Sequence, residues 1–561
     1  MDTLQRIKDR EQKLAGLRAR QDADERLRHL VRYVMKDADG ELVPDIINIT
    51  LNRPAVFAAN VIAALGKVSE QIVVKTDSKS LDVDYIEKFQ RACFASANAR
   101  LRKRGKVPLN PFMDEQGCIR GMMAARVAFQ MINGVLVPDI ALWDTRYVTW
   151  EPGNNGLALA AYSTDQSKGE IMSQPWYDGM SKDKIDRILE KVTDSACVRD
   201  VWFEDHNEIF IGEDRVFEQD NPWGFVPVAL QSVSLGSNLA DKDAIKYHAE
   251  SIFFLIRDVV PELNRLASIM QTLNLKAVKP PAQAFKDGQP PEYNKVMASG
   301  AMTAVGENSK GIATIDYGDA KRAAEIAYKM FDQAQAEGSL PPEAYGSIDI
   351  DLSGVALVEL GERSGAVLVP RLETKALINQ EIAEMLTAQC LQIGGTLEIG
   401  TPGHKQGFNT EKLRGEYETT FKYFPKSPKL DMGRYAQAAQ AKTVGVPQRE
   451  IDEEILQVED PEGRERQRRW EMAEQLSPSI RLHRTVKSLL EDAERGDKDA
   501  GFEAELLSAE MGVSLQQMMT GQAGQTPGVE TPAKPNPVVA LGQGAPPKPP
   551  ELAPVSEGGL K

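Results

Sequence analysis

The chain has 561 residues, of which 42% are hydrophobic and 27% charged, so it is long enough for three or more cores and ordinary for a soluble multi-domain protein. No apolar run reaches the roughly eighteen residues a membrane span needs, and the first segment is a charged helix-like stretch rather than a signal peptide; membrane insertion and secretion are not expected. A formal charge of −15 argues against a surface that grips nucleic acid throughout, because such grip comes from counterions released to Lys and Arg.

Residues 1–36 place Leu4, Ile7, Leu14, Leu17, Leu27, Leu30, Val31 and Val34 at helical spacing among many charges, which predicts a solvated amphipathic helix or pair. Val43 to Leu51 reads as a short strand, and Arg53-Pro54 opens a helix through Leu65, proline being tolerated in a first turn. A helix from Val83 to Arg104 ends in Arg100, Arg102, Lys103, Arg104 and Lys106. That cluster complements a helix dipole, with contact to DNA or to a neighbouring subunit as the alternative. A further helix is predicted from Gly117 to Asn133.

From Val135 the pattern changes to strands. ALWDTRYVTWEPGNNGLALAAYS alternates apolar and polar residues around Asn154-Asn155-Gly156, a hairpin signal because Asn and Gly accept positive φ. After a short helix, Lys182 to Val192, more strands follow through 230, broken by HN, GED and NPWG, with Trp143, Trp150 and Trp202 as core candidates. Cys93, Cys118, Cys197 and Cys390 lie far apart without CxxC spacing and read as buried reduced thiols.

Residues 241–272 carry Ile252, Ile256, Val259, Val260, Leu263, Leu266 and Met270 on one helical face, interrupted by Pro261, where a kink or break is expected. A Pro-rich excursion with strand-like ends follows, KAVKPPAQAFKDGQPPEYNKV and onward to Ile315. Then comes a helix from Asp319 to Glu337, about 28 Å long, with Ala323, Ile326, Ala327, Met330 and Ala334 as its stripe and Gly338 as its stop. The acidic Pro/Gly loop GSLPPEAYGSIDIDLSGVAL leads into a long helix near Ser353, bent at Gly361, Gly365 and Pro370, although GAVLVP also fits a buried strand. GEYETTFKYFPKSPKLD reads as a returning strand, residues past Met432 as charged helices, and Gly521 to Lys561 as disordered.

That order of elements, the LSGVAL opening of the last long helix, and the segments WDTRYVTWEPG and NPWGFVPV together resemble tailed-bacteriophage portal proteins of the siphovirus-type head-to-tail connector family. The resemblance implies an α+β fold with wing, stem, clip and α-helical crown, forming a ring. By it, 1–240 is the wing, 241–272 the first stem helix, 273–318 the clip, 319–337 the second stem helix and 338–352 the tunnel loop. Residues 353–431 are then the long kinked helix with the return to the wing, 432–520 the crown and 521–561 the tail. It further implies a homo-oligomer of twelve copies at one capsid vertex of the virion, assembled in host cytoplasm beside the major capsid protein. Such a ring passes double-stranded DNA, docks terminase during packaging, and later carries head-completion and tail adaptor proteins. Leu340, Pro341, Pro342, Glu343, Tyr345, Asp349 and Asp351 would face the DNA in the tunnel loop, and Lys276, Lys279 and Lys286 would lie in the docking clip. The overall acidity suits a wall past which a duplex slides without deep electrostatic wells.

Motifs for chemistry are not found. No GxxxxGK[ST] phosphate cradle occurs, and none of His29, His206, His248, His404 and His483 stands at zinc-ligand spacing. The carboxylates of EDRVFEQD and DIDLSG lack a nearby Lys or His for acid-base work. No enzyme activity, cofactor or metal is therefore expected. The competing readings are a DNA-associated scaffold or adaptor and a metal-dependent nucleic-acid enzyme.

Overall fold

The computed structural model describes residues 2–510 except 79–80, 133–134, 175, 178–181, 191–193, 238, 240, 242–243, 279–281, 286–301, 306–311, 315–317, 340–353, 402, 426–427, 457, 459–460 and 495–497. The charged N-terminal stretch forms one helix, α1 (Thr3–Arg28). Leu4, Ile7, Leu14 and Leu17 make its buried face, the first two against Leu159, Ala161, Val201 and Phe210, the others against Met122 and Ala249. The predicted stripe stops short of Val31 and Val34, which are exposed, because Leu30 takes a left-handed φ of 51° that no helix continues through. Val43 to Leu51, predicted as a strand, turns at Pro44-Asp45, where Asp45 takes a φ of 57°, and the residues after it join no sheet.

α2 (Arg53–Leu65) carries Pro54 in its first turn and buries Phe57, Ala58, Val61 and Leu65. β1 (Val68–Lys75) leads to α3 (Val83–Lys103), where Asp82 caps the helix by accepting from the Tyr85 amide. The helix predicted over 117–133 is wrong. α4 (Leu109–Ile119) ends two residues before Gly121, and the residues after it form the strand β2 (Met122–Ile132). β2 is the central strand of the sheet β3-β2-β9, made with β3 (Val135–Trp143) and β9 (Val228–Ser232). Covered on both faces, it has an apolar run without alternation, which reads equally as a buried helix.

A second sheet has the antiparallel order β4-β5-β6-β7-β8. Its β4 (Val148–Pro152) and β5 (Leu157–Ser167) form the hairpin predicted at Asn154-Asn155-Gly156, with Gly156 at φ 111°. α5 (Lys168–Met172) starts with a reciprocal Ser167–Glu170 capping box, and α6 (Lys182–Glu190) precedes β6 (Ser195–Trp202), β7 (His206–Ile211) and β8 (Asp214–Asp220). Trp143 and Trp202 are buried as expected, whereas Trp150 is only half-buried. The outer edge of β4 is closed by α1 rather than by a strand. Arg10 Nε donates to the Trp150 carbonyl at 2.8 Å, and Arg18 Nη2 to the Val148 carbonyl at 3.2 Å and Thr149 Oγ1 at 2.7 Å.

The helix predicted over 241–272 starts instead at Val259, after a run of turns, and continues to Val278 as α7 (Val259–Val278). Pro261 therefore falls in its first turn, where a missing amide costs nothing, and it neither kinks nor breaks the helix. β10 (Ala282–Phe285), β11 (Met302–Val305) and β12 (Ile312–Thr314) form a small sheet in the order β11-β10-β12. α8 (Gly318–Glu337) follows, then α9 (Gly354–Ile393), which is helical through Pro370 and the GAVLVP stretch. The hairpin β13 (Thr396–Thr401) and β14 (His404–Asn409) was not foreseen in the sequence. β15 (Glu418–Pro425) is the predicted returning strand, and it pairs antiparallel with β1 from Val68↔Pro425 to Lys75↔Glu418.

The largest core joins α3, β2 and α9 through Ile86, Phe89, Met123, Val127, Ile382 and Leu386, with Phe408 and Phe421 from the later strands. The architecture is α+β. Two compact units divide at Arg464. Before that point lie α10 (Pro428–Val444), α11 (Gln448–Glu450) and the start of α12 (Pro461–Leu476); after it, α13 (Pro478–Glu494) and α14 (Lys498–Glu510) pack through Val486 and Ala504. The tail 521–561, predicted to be disordered, lies outside the described residues.

Gly121 is required by both conformation and space. Its φ is +71°, and a Cβ there would sit 2.2 Å from the Ala249 carbonyl oxygen. Gly212 has a similar φ of +64° with nothing within 4 Å. Gly121→Ala should therefore lose clearly more stability in urea unfolding than Gly212→Ala, which carries only the left-handed penalty of roughly 1–2 kcal/mol; equal losses would contradict the close approach.

Candidate functional site

The segment from α7 to α9 carries the features singled out in the sequence. α7 and α8 pack as an antiparallel pair, since Gly338, just past the end of α8, lies beside Leu255 and Ile256, just before α7. A Cβ on Gly338 would stand 2.7 Å from Ile256 Cγ2, so glycine permits the contact as well as ending the helix. An Arg53–Asp332 ion pair ties α8 to the start of α2. The face of α8 toward α7 buries Ala324 and Gln335, while Ile326 and Met330, on the opposite side, are 55% and 69% exposed. The predicted stripe thus straddles two faces, with Ala327 and Ala334 half-buried between them.

α7 has a second partner that no sequence pattern announced. The amides of Ile47, Ile49 and Leu51 donate to Thr272 Oγ1 at 3.0 Å, Ser268 Oγ at 2.9 Å and Asn264 Oδ1 at 2.9 Å. The match is metric: four residues of helix rise about 6 Å and two residues of extended chain about 6.6 Å. Each hydroxyl spends its own proton on the carbonyl four residues back, Ser268 on Asn264 and Thr272 on Ser268, leaving its lone pairs for the incoming amide. The alternate residues face the other way, Asn48 Oδ1 accepting from the Met35 amide and Thr50 Oγ1 from the Tyr33 amide, both at 2.8 Å. This is why 46–51, beyond the turn at Pro44-Asp45, is extended without being a strand. The available signal was Asn, Ser and Thr at four-residue spacing on an otherwise apolar helix face.

Of the predicted site residues, only Lys276 is described, half-buried in the last turn of α7, where a cation complements the helix dipole. Lys279 and Lys286 lie outside the described residues, as do Leu340, Pro341, Pro342, Glu343, Tyr345, Asp349 and Asp351. Within EDRVFEQD, Glu213 pairs with Lys8 at 2.7 Å and Glu218 with Arg215 at 3.0 Å, while DIDLSG begins outside the described residues. Among the described residues, no three His, Cys, Asp or Glu side chains gather as metal ligands, and no helix is long and apolar enough to cross a membrane. The four cysteines are unpaired; Cys93, Cys118 and Cys390 are buried, and burial pushes the Cys118 and Cys390 thiols up to about 12, while Cys197 is half-buried.

The basic cluster at the end of α3 does more than complement a dipole. Arg100 Nε and Arg104 Nη1 reach Asp139 Oδ1 at 3.3 and 3.2 Å, and Arg126 Nη2, from β2, reaches Asp139 Oδ2 at 2.8 Å.

α9 closes the outer edge of β9. Glu381 accepts from Gln231 Nε2 at 2.8 Å and from the Leu230 amide at 3.3 Å, and burial, outweighing both hydrogen bonds, pushes its carboxyl up to about 7. Because the folded value lies above the unfolded one, this group's stabilising contribution is complete below about pH 4.5 and is lost as pH rises through about 7. Glu381→Gln keeps an acceptor and removes the titration. Its melting temperature should match wild type near pH 5 and exceed it above pH 7; parallel pH profiles would show that Glu381 titrates normally.

No protein-family model matches this chain. No curated protein matches it. Among solved structures it is similar to a chain in the neck of an empty GTA particle computed with C6 symmetry, at 10% identity and a TM-score of 0.34, over 70% of this chain and 86% of that one. It is also similar to a chain in the neck of a native GTA particle computed with C12 symmetry, at 11% identity and a TM-score of 0.28, over 69% of this chain and 96% of that one.

Proposed function

We propose that this chain is a portal-like subunit that forms a closed homo-oligomeric ring through which double-stranded DNA passes. The observation that carries the reading is the α7–α8 pair. It is a helical hairpin with a small sheet inserted between its helices, and its α8 leaves Ile326 and Met330 uncovered on the side away from α7. Lateral copies packed around a ring bury such a stripe, and a head-to-tail arrangement repeats the same two unlike surfaces until the circle closes. The polar ladder from Ile47, Ile49 and Leu51 supports the reading by stiffening α7 along its length.

In this reading the α7–α8 pair is the stem, and the β10–β12 region the clip that meets terminase and later the neck and tail proteins. The acidic stretch with Glu343, Asp349 and Asp351 borders the channel, and the ring occupies one capsid vertex of a phage-type particle in twelve copies. The protein supplies geometry rather than catalysis.

Replacing Ile326 and Met330 by Asp tests the packing. Each charge would be desolvated at a subunit interface but not in an isolated chain. The wild type should give annular particles with a central hole in negative stain; the double variant should keep its circular-dichroism spectrum and give none. Rings that persist in the variant would show that α8 does not mediate association. Removing Leu340 to Tyr345 should leave rings intact and reduce the DNA retained in particles; normal genome filling would count against a channel role for that loop.

A further inference from the structure

The end of α3 gathers more positive charge than the fold neutralises. Three guanidinium groups, Arg100 from α3, Arg104 just past its end and Arg126 from β2, reach the single carboxylate of Asp139, which leaves two positive charges over. Lys103 shares a helix face with Arg100, three residues apart, and Lys106 follows in the exposed turn. Arg100 Nη2 donates to Gln130 Oε1 at 3.0 Å, Arg100 Nη1 and Arg126 Nε are buried without an acceptor among the described residues, and the Arg104 side chain is 41% exposed. Burial holds Arg100 below its usual value, with Arg104 and Arg126 adding to that against the pull of Asp139.

A helix dipole accounts for cations in the last turn of α3. It does not account for Arg126, which comes from a strand, or for buried charged donors left without acceptors, an arrangement that costs more than an ordinary unmade hydrogen bond. The groups approach Asp139 from separate elements, and each guanidinium keeps donors that Asp139 does not take up. A carboxylate offers two oxygens in one plane, whereas a phosphate offers acceptor oxygens on every side and can match the surplus charge.

We propose that Arg100, Arg104 and Arg126 form a binding site for a phosphate oxyanion, reached past Arg104. The chemistry is the same whether the phosphate is free or part of a nucleic-acid backbone, and the site does not depend on the ring reading.

The test uses the full-length protein, Arg104→Gln and, as a charge-matched control, Arg414→Gln at an exposed pair with Glu411. Asp139 keeps Arg100 and Arg126 in the first variant, so its fold is expected to survive. Inorganic phosphate, against chloride at equal ionic strength, should raise the melting temperature of wild type and Arg414→Gln but not of Arg104→Gln. A short fluorescein-labelled duplex in low salt should bind Arg104→Gln roughly tenfold more weakly, with a log–log salt slope smaller by about one. An effect with phosphate alone assigns the site to a free anion; an effect with the duplex assigns it to a backbone phosphate. The proposal is overturned if neither probe separates Arg104→Gln from Arg414→Gln. It is equally overturned if Arg104→Gln changes only the association of copies, which would give the cluster to a carboxylate of a second chain.

Discussion

The structure of the larger unit depends on one buried ion network that fastens α1 to the connector ahead of α7. Arg20 donates to the carbonyls of Lys246, His248 and Ala249 at 2.6, 2.5 and 2.7 Å and to Glu250 at 3.1 Å. Arg257 holds Asp24 through two bonds of 2.6 and 2.9 Å and Glu250 through a third of 2.8 Å. The connector needs this because Ala249 sits at a left-handed φ of 55°, and the carbonyls Arg20 binds have no helix or strand amide to donate to them. Although burial works against its charge, Arg257 is held above its usual value by hydrogen bonds and attraction from Asp24 and Glu250. Buried charges are tolerable when each is matched, and losing one partner of such a set costs roughly 3–5 kcal/mol.

The connector's path follows from that clamp. Gly121 approaches the Ala249 carbonyl, and Gly236 approaches the Tyr247 carbonyl so closely that a Cβ would stand 2.4 Å from it. The chain then turns through Ile252, Phe253 and Ile256, which join α2 in a core bordered by Leu368 and Leu372 of α9. Thus the direction of α7, and with it the α7–α8 hairpin, is set by contacts on α1 and α2 rather than by α7 itself.

The same chemistry closes sheet edges. Arg10 and Arg18 occupy carbonyls of β4, and Glu381 takes an amide of β9. Helical side chains thereby satisfy backbone groups that would otherwise template pairing with another chain. On β3 the guanidinium cluster around Asp139 sits at the corresponding margin, with Pro138 beside it lacking an amide to offer.

Local patterns alone determined much of this protein. Proline in a first turn placed α2, Asn154-Asn155-Gly156 placed a hairpin, a helix ending in basic residues placed α3, and helical periodicity with a terminal glycine placed α8, because each signal acts within a few residues. Tertiary structure decided the rest. β2 is a strand because neighbours cover both its faces; residues 46–51 are extended because Asn264, Ser268 and Thr272 lie a helix repeat apart to receive them; and residues 244–258 form a short 3-10 helix and turns rather than the start of α7 because Arg20, more than two hundred positions earlier, binds carbonyls among them. The exposure of Ile326 and Met330 was likewise undecided until α7 took one side of α8. Periodicity reports which side chains share a face, but partners distant in the chain select the face that is buried.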